Sequence, residues 1–273
     1  MSRKRLTLYI LYGFFITAVF LWWQFPSEAV TGHLFAAIHD RNPEMVISAE
    51  DSTFGILPSV TLRKATLRFI NTPNSLLEAD VVKIRPAIMQ GLQGRLSCLV
   101  DANAYGGRIH ARVNFIHRFT TRSPIAATMD LARVNVGDCT LLKKHLGRKI
   151  TGILDGSLTF SGRYEQAMKG TGDAKLTLTQ GTIQLLKSMF GFDALTFDSI
   201  SAQLALRNGT LKVDSITFRG KELRGSLKGN VYINRNINQS RLALKGSVEI
   251  PALNRTFSTY IGGTFNKPIP RLM

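Results

Sequence analysis

The sequence predicts a mainly β protein: an N-terminal single transmembrane helix, then an antiparallel, curled β-meander, either an open trough or a sandwich, with a few short helices. Three observations predict it. Apolar and polar residues alternate in run after run between about residues 60 and 250, the period of a strand with one covered and one wet face. The runs are joined by tight Gly-containing turns rather than by helical crossovers, so consecutive strands pair antiparallel. Finally, Leu6–Phe25 carries no charge; at 1.5 Å per residue it spans roughly 30 Å, the thickness of bilayer hydrocarbon.

Residues 1–5 are read as a cytoplasmic tail. Arg3, Lys4 and Arg5 form the basic cluster that orients a single-pass anchor with its amino terminus inside. Residues 6–25 are the anchor. Leu6, Leu11, Phe14, Phe15, Phe20 and Leu21 supply its apolar body, and Trp22 and Trp23 stand where the far interfacial belt belongs. Pro26 ends it. A cleaved signal is the rival reading, since Ser27-Glu28-Ala29 offers small residues for a cleavage site. The apolar stretch is longer than a signal's and ends in bulky Trp-Trp-Gln-Phe, which favours an uncleaved anchor. In either case the rest of the chain lies outside the cytoplasm. Residues 26–43 read as a juxtamembrane amphipathic helix, with Val30, Leu34, Ala37 and Ile38 on one face.

Residues 44–136 form a first β-rich half. Val60–Phe69 and Leu77–Ile84 look like strands of imperfect alternation. Val100 shares a parity with Leu96 and Cys98. After the hairpin signal Tyr105-Gly106-Gly107, Ile109, Val113 and Phe115 alternate with Arg108, His110, Arg112 and Asn114. Residues 137–149 read as a connecting helix capped by Asp138 and closed by Gly147. Residues 150–273 form a second, more regular half. Its apolar stripes are Leu158 and Phe160; Leu176 and Leu178; Leu204 and Leu206; Leu227; Leu242 and Leu244. Gln180-Gly181-Thr182-Ile183, Asn208-Gly209-Thr210 and Gly262-Gly263-Thr264 read as a recurring turn, and Thr182 to Phe190 as room for another short helix. The stripes are either the core of a sandwich or the lining of an apolar groove.

The chain has 35 Lys and Arg against 18 Asp and Glu, a net charge of +17. A surplus of this size suggests nucleic acid, an anionic membrane surface or an acidic polymer. Topology excludes nucleic acid, because the basic region is exported, and no helix-turn-helix or finger motif is present. Less the three cytoplasmic charges, +14 remains on the exported part. Phosphate-binding loops, zinc-protease and nucleophile-elbow motifs are missing, and the five histidines are scattered. No catalytic residue, cofactor or metal is therefore expected. Cys98 and Cys139 either pair or serve as two small apolar side chains.

The order of several short motifs resembles the type II secretion system protein N family: Leu8-Tyr9-Ile10-Leu11-Tyr12-Gly13, Phe25-Pro26-Ser27-Glu28, Leu76-Leu77-Glu78-Ala79-Asp80, Arg85-Pro86, Tyr105-Gly106-Gly107, Ile153-Leu154-Asp155-Gly156 and Gly262-Gly263-Thr264-Phe265-Asn266-Lys267-Pro268. The similarity covers essentially the whole chain. It implies a bacterial inner-membrane, single-pass protein with a periplasmic β-rich domain, an accessory of the type II secretion machinery that docks on other inner-membrane secretion subunits. Such proteins also look like AsmA-type periplasmic β-groove proteins, which implies phospholipid or another amphiphile as an alternative ligand. The resemblance leaves the molecular activity open and offers no catalytic residues; with no catalytic constellation in the sequence, no enzyme activity is expected.

Overall fold

The computed structural model describes residues 45–55, 59–69, 75–87, 96–115, 124–139, 149–163, 169–189, 192–234, 236–251 and 254–272. The expected anchor at 6–25 and amphipathic helix at 26–43 lie outside them. Among the described residues no helix is long and apolar enough to cross a membrane.

The chain is mainly β and builds one antiparallel sheet that does not close. β1 (Met45–Ser48) and β2 (Asp51–Phe54) both pair with β3 (Val60–Phe69) and share one edge position. Then follow β4 (Ser75–Pro86), β5 (Leu96–Ala104), β6 (Gly107–Phe115), β7 (Pro124–Asn135), β8 (Ile153–Arg163), β9 (Thr171–Met189) and β10 (Phe192–Arg207). The sheet ends with β11 (Thr210–Arg219), β12 (Arg224–Tyr232), β13 (Arg241–Ile250), β14 (Arg255–Gly263) and β15 (Pro268–Leu272). From β3 onward every strand pairs with the next in sequence.

Turn chemistry enforces this meander. Tyr105 and Gly106 have φ of 52° and 70°, and Asn208 and Gly209 have φ of 48° and 79°. Two successive positive φ values make the mirror-image turn whose twist suits antiparallel strands. Lys64, Arg133 and Gln180 also have positive φ, but inside strands. At these points the inward parity switches. On β3 burial passes from Leu62 to Ala65, and on β9 the inward set passes from Leu176 and Leu178 to Gly181 and Ile183. The bulges thus keep one face apolar as the strands bend.

Two sequence expectations need correction, and the expected connecting helix needs it only at its cap. The helix expected from Thr182 is not found over the described residues, because β9 runs on to Met189 and Ile183 and Gln184 pair with Leu195 and Ala194. Helix there would forfeit that ladder. Gln180–Ile183 is no turn either; it is the mid-strand bulge just described. In the expected connecting helix, the described part is one 3-10 turn, Val136–Asp138. Its cap is Asn135, which accepts from the Gly137 N–H at 3.0 Å and donates to Asp138 at 2.8 Å. Asp138 therefore sits inside the first turn instead of capping it, and residues 140–148 lie outside the described set. β7 pairs directly with β8, so the sheet runs on unbroken across this joint.

The buried set is informative for its small size. It includes Ala65, Ala79, Ala102, Ala104 and Ala111, with Leu62, Val134, Phe197, Val213, Leu244 and Ile250 among the larger members. Among the described residues the largest fully buried side chain is Ser240. A two-layer core would bury large aliphatic side chains completely. Here the buried residues are mostly small, and among the described residues every strand belongs to the one sheet.

Candidate functional site: the apolar face of the sheet

Residues directly opposite one another in an antiparallel pair project from the same face. Following the register therefore maps each face across the whole sheet. From β5 the chain of partners Val100–Ala111–Met129–Leu158–Ala174–Leu204–Val213–Gly229–Leu244–Ile261 runs to β14. A parallel row passes through Val113, Ala127, Phe160, Gly172, Leu206, Leu211, Val231 and Leu242. A third links Leu176 to Ala202, Ile216, Leu227 and Gly246. Ile109 faces Leu131, Phe115 faces Ile125, and Leu178 joins Leu154 and Ile200 on the same side. All the residues singled out from the sequence as apolar stripes share this one face. Sequence reading missed β7, which adds Ile125, Ala127, Met129 and Leu131 to it.

Of those stripe residues only Leu244 is buried, at 7% exposure; the others are half-buried. Met129, in the middle of the face, is 38% exposed. From β5 to β13 the rows extend about 38 Å at the usual strand spacing, an unusually long apolar surface to leave partly wet.

Glycines set the floor. A Cβ on Gly162 or Gly170 would meet the Phe160 ring at 2.8 or 2.6 Å, and one on Gly225 would meet Phe218 at 2.7 Å. The rings lie down over glycine positions, so aromatic carbon lines the floor there instead of projecting from it. Gly246 opposes Leu227 and has the Ser226 carbonyl oxygen where a Cβ would be.

The opposite face is polar. One row reads Lys83, Asp101, His110, Asp130, Ser157 and Lys175. Asp101 bonds Arg85 and lies 2.5 Å from His110 Nδ1. Its carboxyl is held below the usual range, first by the His110 hydrogen bond and then, against some burial, by Arg85. Arg207 clasps β9, donating to the Gly172 carbonyl at 2.7 Å and to Asp173 at 2.8 Å. It thereby closes one side of a shallow hollow of about 430 Å³ lined by Thr128, Thr159, Ser161 and Thr171. At the exposed edge Glu50, 2.5 Å from Lys64, holds that ammonium above its ordinary value.

Cys98 and Cys139 are free thiols. Cys98 faces Val113 on the apolar side, and burial pushes its thiol up. Tyr105 accepts the Glu78 N–H at 3.1 Å through its hydroxyl, and burial raises that group too. Among the described residues no cluster of His, Cys, Asp or Glu is placed to hold a metal. The arrangement offers apolar contact area on one side and a hydrogen-bonded polar lattice on the other. Comparison with protein-family models, curated proteins and solved structures returns no match.

Proposed function

We propose that this chain is a membrane-anchored, exported protein whose apolar sheet face is a trough for the acyl chains of an amphiphile, phospholipid foremost. The observation that carries the reading is the long apolar face whose aliphatic side chains stay half-exposed. A filled sandwich core spends such a face on a second sheet. An acyl chain lying across the strands supplies the same cover without one. The placement beside a bacterial inner membrane, on the periplasmic side, rests on the sequence of residues 1–26 and gives the trough a source of lipid.

The test is native mass spectrometry of residues 30–273 purified without detergent. Bound phospholipid is expected, and Leu204→Asp is expected to lose it while far-ultraviolet circular dichroism stays unchanged. A lipid-free protein, or a Leu204→Asp variant that retains lipid, overturns the reading.

A second reading has its own support: an accessory of type II secretion that docks on inner-membrane subunits. The ordered motifs from Leu8 to Pro268 favour it, and so does the β1–β2 edge, which carries no proline within its strands and, among the described residues, pairs with no strand besides β3, the kind of edge that takes strand addition. Crosslinking in secreting cells tests it, and the absence of any crosslink to secretion subunits counts against it.

A further inference from the structure

The carboxy-terminal corner of the polar face differs from the rest of that face. From Arg224 to Met273 the chain holds eight Lys or Arg and a single acid, Glu249. Among the described residues none of these cations is in an ion pair, whereas the cations that are paired all lie earlier in the chain. The register gathers them. Lys228 stands directly opposite Lys245, Lys245 opposite Tyr260, and Tyr260 opposite Arg271. That row crosses four strands in about 14 Å. Beside it Tyr232 stands opposite Arg241. Like charges placed directly opposite one another destabilise a sheet, so Lys228 and Lys245 are set out for an external anion.

The same corner concentrates exposed apolar surface. Tyr232 is 49% exposed, Tyr260 37% and Ile269 48%, with Phe265 at 37% in the turn before β15. Ile269 shares its face with Arg271 by strand alternation. The corner is firmly built: the Phe265 N–H donates to the Ser240 carbonyl at 2.9 Å and the Asn266 N–H to the Asn238 carbonyl at 3.1 Å.

The neighbouring sheet edge is closed to strand addition. Thr264 and Lys267 exchange both backbone hydrogen bonds, so by alternation Ile269 and Arg271 also point their N–H groups at β14. Pro268 and Pro270 then occupy positions facing the free edge and offer no donor there. What the corner presents is therefore a face, not an edge. Cations interleaved with tyrosines and aliphatic side chains match the headgroup zone of a bilayer, where phosphate lies above the first apolar carbons.

We propose that the polar face of β12–β15 is a peripheral binding surface for an anionic phospholipid membrane, separate from the amino-terminal anchor and from the apolar trough. Lys228, Lys245 and Arg271 take the phosphates, and Tyr260 and Ile269 enter the interfacial layer. The surface works whether or not the trough carries lipid.

The test uses the full chain in nanodiscs of phosphatidylcholine, mixed with vesicles of phosphatidylcholine with or without phosphatidylglycerol and separated by flotation. Binding to the phosphatidylglycerol vesicles alone is expected, with release at high salt. Joint Lys228→Gln, Lys245→Gln and Arg271→Gln substitution is expected to weaken it on the order of 100-fold. Ile269→Ser is expected to weaken it further, and Arg108→Gln with Arg112→Gln, at β6 on the same face, to leave it unchanged. Equal loss from the β6 pair, or an unaffected triple variant, overturns the assignment. Displacement by inorganic phosphate as complete as by vesicles makes this a free-anion site and also overturns it. Failure to bind phosphatidylglycerol vesicles at low salt overturns it too, and leaves the face to an acidic protein.

Discussion

Leu204 and Leu244 lie on the same face and in the same row but differ in environment: Leu204 stands opposite Ala174 and Val213, and Leu244 opposite Gly229 and Ile261. Leu244 is 7% exposed and Leu204 half-buried. Truncating the buried one to alanine removes its transfer free energy and leaves a void, so Leu244→Ala is expected to cost about 3 kcal/mol. Leu204→Ala loses only part of a leucine's transfer term and opens no closed cavity, about 1 kcal/mol. The order reverses for lipid affinity. An acyl chain seated on Leu204 loses up to about 2 kcal/mol of contact, roughly 30-fold in affinity. Leu244, already covered by its neighbours, offers little to the ligand. Urea unfolding of residues 30–273 with and without added phospholipid measures both quantities, because ligand stabilises the folded state by mass action. Equal costs for the two variants, with an unchanged lipid increment in both, would refute an open, ligand-facing surface at Leu204.

Four further outcomes are expected. Gly246→Ala places a methyl on the Ser226 backbone oxygen and is expected to cost more than about 3 kcal/mol by forcing two strands apart. Gly137→Ala meets the Asn135 side chain at 3.2 Å and beyond it only ordinary contacts, Thr151 Cγ2 at 3.5 Å and the Ile150 carbonyl at 3.9 Å, and its thermal midpoint is expected to stay near wild type. Asp101, whose carboxyl is held low in the folded state, contributes stability that is present above its unfolded value and lost as pH falls through its folded one. The advantage of wild type over Asp101→Asn, under about 1 kcal/mol for so exposed a pair, is therefore expected at pH 7 and gone once acid unfolding is followed well below about pH 4. Pro268→Val with Pro270→Thr restores two N–H donors at the free edge, and light scattering is expected to show concentration-dependent self-association that wild type lacks.

The meander was legible where alternation was strong and the turns were mirror-image pairs. β6, β10 and β11 announce themselves, since Tyr105-Gly106 and Asn208-Gly209 demand positive φ at both central positions. β7 was hidden because Ala126 and Ala132 on its polar side blunt the contrast with Ala127 on the other. β15 was hidden by Pro268 and Pro270, which argue against a strand until its position at the sheet edge is known. The bulge at Gln180 imitated a turn, because both require a left-handed residue followed by glycine. Only pairing with β10 separates the two, and pairing is a non-local fact. The candidate site was legible as a set of stripes but not as a surface: which stripes share a face depends on register, and whether that face is covered depends on what packs above it. The basic corner was invisible for the same reason. Lys228, Lys245 and Arg271 are far apart in sequence and become one row only through three successive ladders.

Because each strand from β4 onward pairs only with its neighbours in sequence, this sheet is built in one dimension, like a repeat array with a hairpin as its unit. Stability in such an array is close to a sum of nearest-neighbour terms. Deleting one complete hairpin leaves every other ladder and the inward parity intact, and shortens the apolar face by about 10 Å. The reach of the surface is then a count of hairpins, free to lengthen or shorten in evolution by whole duplications while the fold is preserved.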